Sequence, residues 1–196
     1  MMSNRSYRGF NLGPIEWLIV TNLMLFVMAY VASFFNRDFG RIFGFHPAIF
    51  LEQPWTIITN MFIHDGIWHI FANMFTLYFF GSYLVRLVGE RNFLLIYFIG
   101  GILGNIFYAF ISTPPLPAVG ASGAVFALAG ALTVLRPRER VFVFPIPAPI
   151  PLWGAVLGGF LILSILPGIA WQAHLGGLVF GLVAGYLLKR RARWVF

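Results

Sequence analysis

The chain contains no cysteine, which excludes disulfides and thiolate chemistry and leaves the redox compartment open. Charge is scarce too: 10% of the 196 residues are Asp, Glu, Lys or Arg, against 60% hydrophobic. A soluble domain of this length cannot cover its surface with so few charges, so the composition predicts an integral membrane protein. The acids are rarest, limited to Glu16, Asp38, Glu52, Asp65, Glu90 and Glu139. No His-Glu-x-x-His run occurs, so a metal site assembled from His64, His69 and His174 with Asp65 has little support. Neither a soluble domain nor a long internal repeat is visible. The formal charge of +7 could signal nucleic acid, but the basic residues flank apolar segments, and no nucleic-acid partner is expected.

What is present is a series of apolar segments at about 15–35, 69–87, 93–111, 122–135, 152–166 and 171–188, six candidate spans. Arg5 and Arg8 precede the first, and Arg86 and Arg91 join the second to the third. Arg136, Arg138 and Arg140 follow the fourth, and Lys189, Arg190, Arg191 and Arg193 close the sequence. With alternating spans, eleven of the thirteen basic residues share a face, Arg37 and Arg41 being the exceptions. The positive-inside rule then predicts that both termini are cytoplasmic. The first segment lacks an obvious small-residue cleavage site and reads as a retained helix, not a signal peptide. The outer connection 36–68 is long for a structureless loop and rich in Ile, Phe and Trp55, so it is expected to be partly helical and interfacial. Pro114, Pro115 and Pro117 break the chain before Ser122, as Pro145, Pro147, Pro149 and Pro151 do after span four. The expected architecture is one all-α, six-helix membrane domain over residues 1–196.

Three even-numbered spans bring polar residues to one depth: His69 opens the second, Ser122 the fourth and His174 the sixth. All three face the outer side in this topology. Span four has about fourteen residues and rises only ~21 Å, short of a ~30 Å hydrocarbon core, so Ser122 lies below the outer surface. Irregular backbone there must be buried or line a wet cavity. His174, Gly177, Gly181 and Gly185 form one helical stripe, and Ser122, Phe126, Ala129, Gly130 and Thr133 another. Pressing the stripes together brings Ser122 and His174 within hydrogen-bond reach. A neutral imidazole beside a serine hydroxyl is the arrangement that activates the oxygen as a nucleophile. His69 and Asn73, four apart, share a face from which donors can meet a developing oxyanion.

The motifs Gly120-Ala121-Ser122-Gly123, Ala173-His174 with Gly177 and Gly181, and His69-Ile70-Phe71-Ala72-Asn73 together resemble those of rhomboid intramembrane serine proteases. The resemblance runs from the first span to the sixth. It implies Ser122 as nucleophile, His174 as general base, and His69 and Asn73 with Ser122 as the oxyanion hole, without metal or cofactor. Gly120, Gly123, Phe126, Gly177, Gly181 and His64 take supporting places; His64 matches a loop histidine of the family. Phe126 stands where the family often has tyrosine and retains a ring to stack on His174. Two departures are visible, Thr56 after Trp55 where an arginine is common, and Val85 before Gly89 where a glutamate is common; different loop stabilisation is expected. Asp65 could reach in from the loop toward His174. His46 reads as a loop residue, and Trp55, Trp68, Trp171 and Tyr186 as interfacial aromatics.

The implied activity is endoproteolysis of transmembrane substrates near the outer face of the cell membrane, with lipid and substrate helices as partners and the oligomeric state open. The alternative is a non-catalytic rhomboid-like protein that binds or dislocates transmembrane helices.

Overall fold

In a computed structural model, residues 12–112, 117–143 and 146–192 are described. Arg5, Arg8, Pro114, Pro115, Pro145 and Arg193, used in the topology above, lie outside the described residues. Gly13 and Pro14 open the first helix, α1 (Pro14–Ser33), where proline's missing N–H and fixed φ suit a first turn. Trp17, Met24, Val27, Met28, Tyr30 and Val31 are all exposed on it. So much apolar surface on a single helix calls for an apolar surround.

The connection after α1 is folded in short pieces: α2 (Phe39–Phe43), a 3₁₀ turn at Pro47–Ile49, α3 (Thr56–Thr59) and a second 3₁₀ turn at Asn60–Phe62. Asp38 caps α2 by accepting from the Arg41 amide. With Thr56 in the place where an arginine is common, other bonds hold this loop: Trp55 Nε1 donates to Ile42 O at 3.2 Å and Thr59 Oγ1 to Phe43 O at 2.8 Å. Thr56 is fully buried and donates to Gln53 O.

Next come α4 (Ile67–Thr76), a π-turn at Leu77–Gly81 and α5 (Ser82–Ile111), a helical stretch of 45 residues in all. Unbroken, it would run ~68 Å, more than twice a ~30 Å hydrocarbon core. The break is at Gly89, whose φ of 80° and ψ of 164° leave the helical region at a value glycine tolerates. Phe93 lies against Gly81, so the chain doubles back there. The loop expected between residues 87 and 93 is thus a single non-helical residue.

α6 (Ser122–Leu135) is the buried centre: nine of its fourteen residues are buried, most of them Gly, Ala or Leu. β1 (Arg140–Val141) and β2 (Ile150–Pro151) pair antiparallel, a two-stranded exception to the expectation of an all-α chain. Arg140 reinforces the pairing by donating from its guanidinium to Pro149 O. α7 (Leu152–Ser164) and α8 (Trp171–Ala192) complete the chain. Three helical stretches, Pro14–Ser33, Ile67–Ile111 and Trp171–Arg191, are long and apolar enough to cross a membrane; α6 and α7 are shorter.

α8 packs on α6 backbone to backbone. A β-carbon on Gly177 would overlap the carbonyl oxygen of Gly123, and one on Gly181 that of Ala127. One on Gly185 would come within 2.7 Å of Ala131 O, and from the other side one on Gly130 within 2.6 Å of Leu178 O. Missing side chains at three- and four-residue intervals let the helices touch along their length, so the register between them is fixed. Lys189 Nζ donates to Val134 O and closes the far end.

Candidate active site

That register sets the near ends of α6 and α8 side by side. Ser122, the first residue of α6, and His174, in the first turn of α8, meet with Oγ and Nε2 2.7 Å apart. His174 is buried, and its Nδ1 has no hydrogen-bond partner among the described residues. The ring is held by stacking instead: Phe126, one turn along α6, lies 4.7 Å away at 26° between planes. Phe126 in turn meets Phe160 of α7 edge-on at 6.0 Å.

The turn before Ser122 is stitched to the outer connection. Phe45 and Ala118 exchange backbone hydrogen bonds of 2.8 and 2.9 Å, and the Gly120 amide donates to Asn60 O at 2.9 Å. Asn60 is itself anchored, because its side-chain amide and that of Asn105 on α5 donate to each other's oxygens at 3.0 and 2.8 Å. Asn105 Nδ2 also donates to Ile57 O. Both amides are buried, where an unpaired polar group is expensive. A cavity of about 10 Å³, on the scale of one water, is lined by Asn60, Asn105, Gly120, Ser122, Gly123 and Ala173 among others.

Gly120 has φ of +114°, a region L side chains rarely adopt, and a β-carbon there would fall 2.6 Å from His69 Nε2. His69 thus presses its ring edge on the turn that leads into Ser122. Its Nδ1 lies 2.5 Å from Asp65 Oδ1, so Asp65 pairs with His69 and not with His174, the partner considered from the sequence. His64 meets the His69 ring edge-on at 5.0 Å, and the Ala121 amide points at His64 Nε2 from 3.5 Å. Burial, and secondarily the neighbouring His69, pushes the His64 imidazole down to about 3, which keeps it a neutral acceptor for that amide. Asn73 is buried and donates through Nδ2 to His69 O at 2.9 Å; the second amide hydrogen is free for another acceptor.

Of the site residues read from the sequence, Ser122, His174, His69, His64, Gly120, Gly123 and Phe126 lie at or within about a turn of the near ends of α4, α6 and α8. Asn73 lies a turn beyond His69 on α4, and Gly177 and Gly181 lie further along the α6–α8 contact. Those the sequence reading missed are Asn60 and Asn105, which carry no local pattern. The Asp65–His69 contact was available from its four-residue spacing. Among the described residues no group of three or more His, Cys, Asp or Glu is arranged to hold a metal ion.

Residues 51–191 match the family model of the Rhomboid domain. The chain is 30% identical over 145 residues to Rhomboid protein 1, mitochondrial, of Saccharomyces cerevisiae, covering 69% of this chain and 42% of that protein. To RHOMBOID-like protein 12, mitochondrial, of Arabidopsis thaliana it is 37% identical over 156 residues, covering 69% and 46%. To Inactive RHOMBOID-like protein 8 of the same plant it is 32% identical over 129 residues, covering 65% and 36%. The chain spans less than half the length of each of these relatives.

Proposed function

Because the chain belongs to the rhomboid family, we propose that it is an intramembrane serine endopeptidase acting through a Ser122–His174 dyad. The observation that carries the reading is the 2.7 Å contact between Ser122 Oγ and His174 Nε2. In the proposed reaction Ser122 donates its proton to His174 Nε2 as its oxygen attacks the substrate carbonyl, and His174 passes that proton to the leaving amine. The negative charge on the tetrahedral intermediate is met by the Ser122 backbone amide, the free Asn73 amide hydrogen and His69. Among the described residues no carboxylate accepts from His174 Nδ1, and the Phe126 stack is what sets the imidazole plane. Water, needed to release the acyl group, has room beside Ser122. The substrates are transmembrane segments, entering from lipid and unwinding locally, since a hydrogen-bonded helix shields its carbonyls.

The topology that goes with this reading is six spans, with α6 and α7 as short crossings, both termini cytoplasmic and the dyad toward the outer side. Two of the relatives are named mitochondrial, and the cell-membrane location expected from the sequence takes no support from them. A second reading, binding or dislocation of membrane helices without cleavage, draws on the relative named inactive. Reconstitution with a single-span substrate separates the two. Cleavage by wild type that Ser122→Ala abolishes supports the endopeptidase; intact substrate with retained binding in both supports the second reading.

A further inference from the structure

Asp65 has no part in the dyad, yet it is the one acid at the site. It lies two residues before α4, and His69 sits in the first turn, so the four-residue spacing puts both on one face. The side chain of Asp65 is 72% exposed and that of His69 27%, so the carboxylate is at the mouth and the imidazole reaches inward. The inward atom is Nε2, which abuts Gly120, two residues before Ser122.

The 2.5 Å contact commits Nδ1–H of His69 to donate to the Asp65 carboxylate. That commitment has a chemical consequence at the other nitrogen. A neutral ring with its hydrogen on Nδ1 presents a lone pair at Nε2, which repels an oxyanion; only the imidazolium presents a donor there. The other ionisable side chains facing His69 are His64 in the loop before α4 and His174 on α8, and neither supplies negative charge. Among the described residues, Asp65–His69 is the only ion pair. An exposed pair of this spacing contributes little in water, but here one partner is mostly withdrawn from solvent, where charges interact more strongly.

We propose that Asp65 is a positioning residue that holds His69 as an imidazolium with Nε2–H directed at the oxygen that becomes negative during attack by Ser122. The inference rests on the endopeptidase reading and adds to it a charge requirement at residue 65. Asparagine can still accept from Nδ1–H but brings no charge, whereas glutamate restores the charge.

The test is steady-state hydrolysis of a fluorogenic transmembrane peptide in detergent micelles by wild type, Asp65→Asn and Asp65→Glu, with melting temperatures and fluorophosphonate labelling of each. Loss of an oxyanion donor typically lowers kcat by 10²–10³-fold, so loss of its counter-charge is expected to lower kcat by about tenfold or more in Asp65→Asn. KM and melting temperature stay near wild type, and Asp65→Glu recovers most of the rate. Asp65→Asn with wild-type kcat, or Asp65→Glu no better than Asp65→Asn, overturns the proposal. Wild type that neither labels nor cleaves overturns the endopeptidase reading itself.

Discussion

Gly177 of α8 meets Gly123 of α6 so closely that a β-carbon on Gly177 would overlap the Gly123 carbonyl oxygen and lie 2.8 Å from its carbon. The obstacle is backbone and cannot rotate away. This contact lies one turn below the Ser122–His174 pair and sets the separation of the two side chains.

Gly177→Ala is therefore expected to destabilise the protein by about 1–3 kcal/mol, the usual range for overpacking, and to abolish fluorophosphonate labelling by moving His174 away from Ser122. Gly154→Ala on α7, where a β-carbon meets nothing within 4 Å, is the matched control and leaves both unchanged. Melting temperature in micelles, read beside labelling, checks this.

The His174 imidazole has a stacked ring where many serine hydrolases have a carboxylate. Stacking of this kind contributes about 0.5–1.5 kcal/mol beyond area burial, so Phe126→Ala is expected to lower kcat roughly two- to tenfold with little change in KM. Phe126→Tyr keeps the ring and stays near wild type. A Phe126→Ala enzyme with full kcat would mean that the stack does not orient the base.

The reciprocal amide pair Asn60–Asn105 makes a non-additive prediction. Asn60→Ala alone leaves the buried Asn105 Oδ1 without its donor and is expected to cost about 1–3 kcal/mol, as is Asn105→Ala, which leaves the Asn60 amide without its partner. The double variant leaves no amide unpaired and costs less than the sum, which a double-mutant cycle on melting free energies reads directly.

The Ser–His pairing and the α6–α8 contact were legible because they follow helical periodicity: Gly177, Gly181 and Gly185 line up from sequence spacing alone. The outer connection was legible only as partly folded. Its links to the site, Phe45 to Ala118, Asn60 to Gly120 and Asn60 to Asn105, join residues 45 or more positions apart by ordinary polar groups. Nothing local marks such partners. Asp65 was within reach from its four-residue spacing to His69, whereas His174 stands on another helix with no sequence spacing that relates it to Asp65. The β1–β2 pair escaped because its strands are two residues long and β2 contains Pro151, below any periodic signal.

His64 makes stability depend on pH. Its folded value of about 3 lies below the ordinary 6.5, so between those limits the unfolded chain binds the extra proton. Stability is full above about 6.5 and falls as pH drops toward 3. Melting temperature should decline on acidification over that window, and His64→Gln should decline less steeply. Parallel declines would show that His64 does not contribute.

The most direct measurement is fluorophosphonate labelling of detergent-solubilised wild type, Ser122→Ala and His174→Ala at neutral pH. Labelling of wild type and of neither variant is the expected result, since the probe reacts only with a serine whose proton is taken up by a neighbouring base. Labelling that survives in Ser122→Ala, or its absence from folded wild type with a second probe class as well, contradicts an activated Ser122.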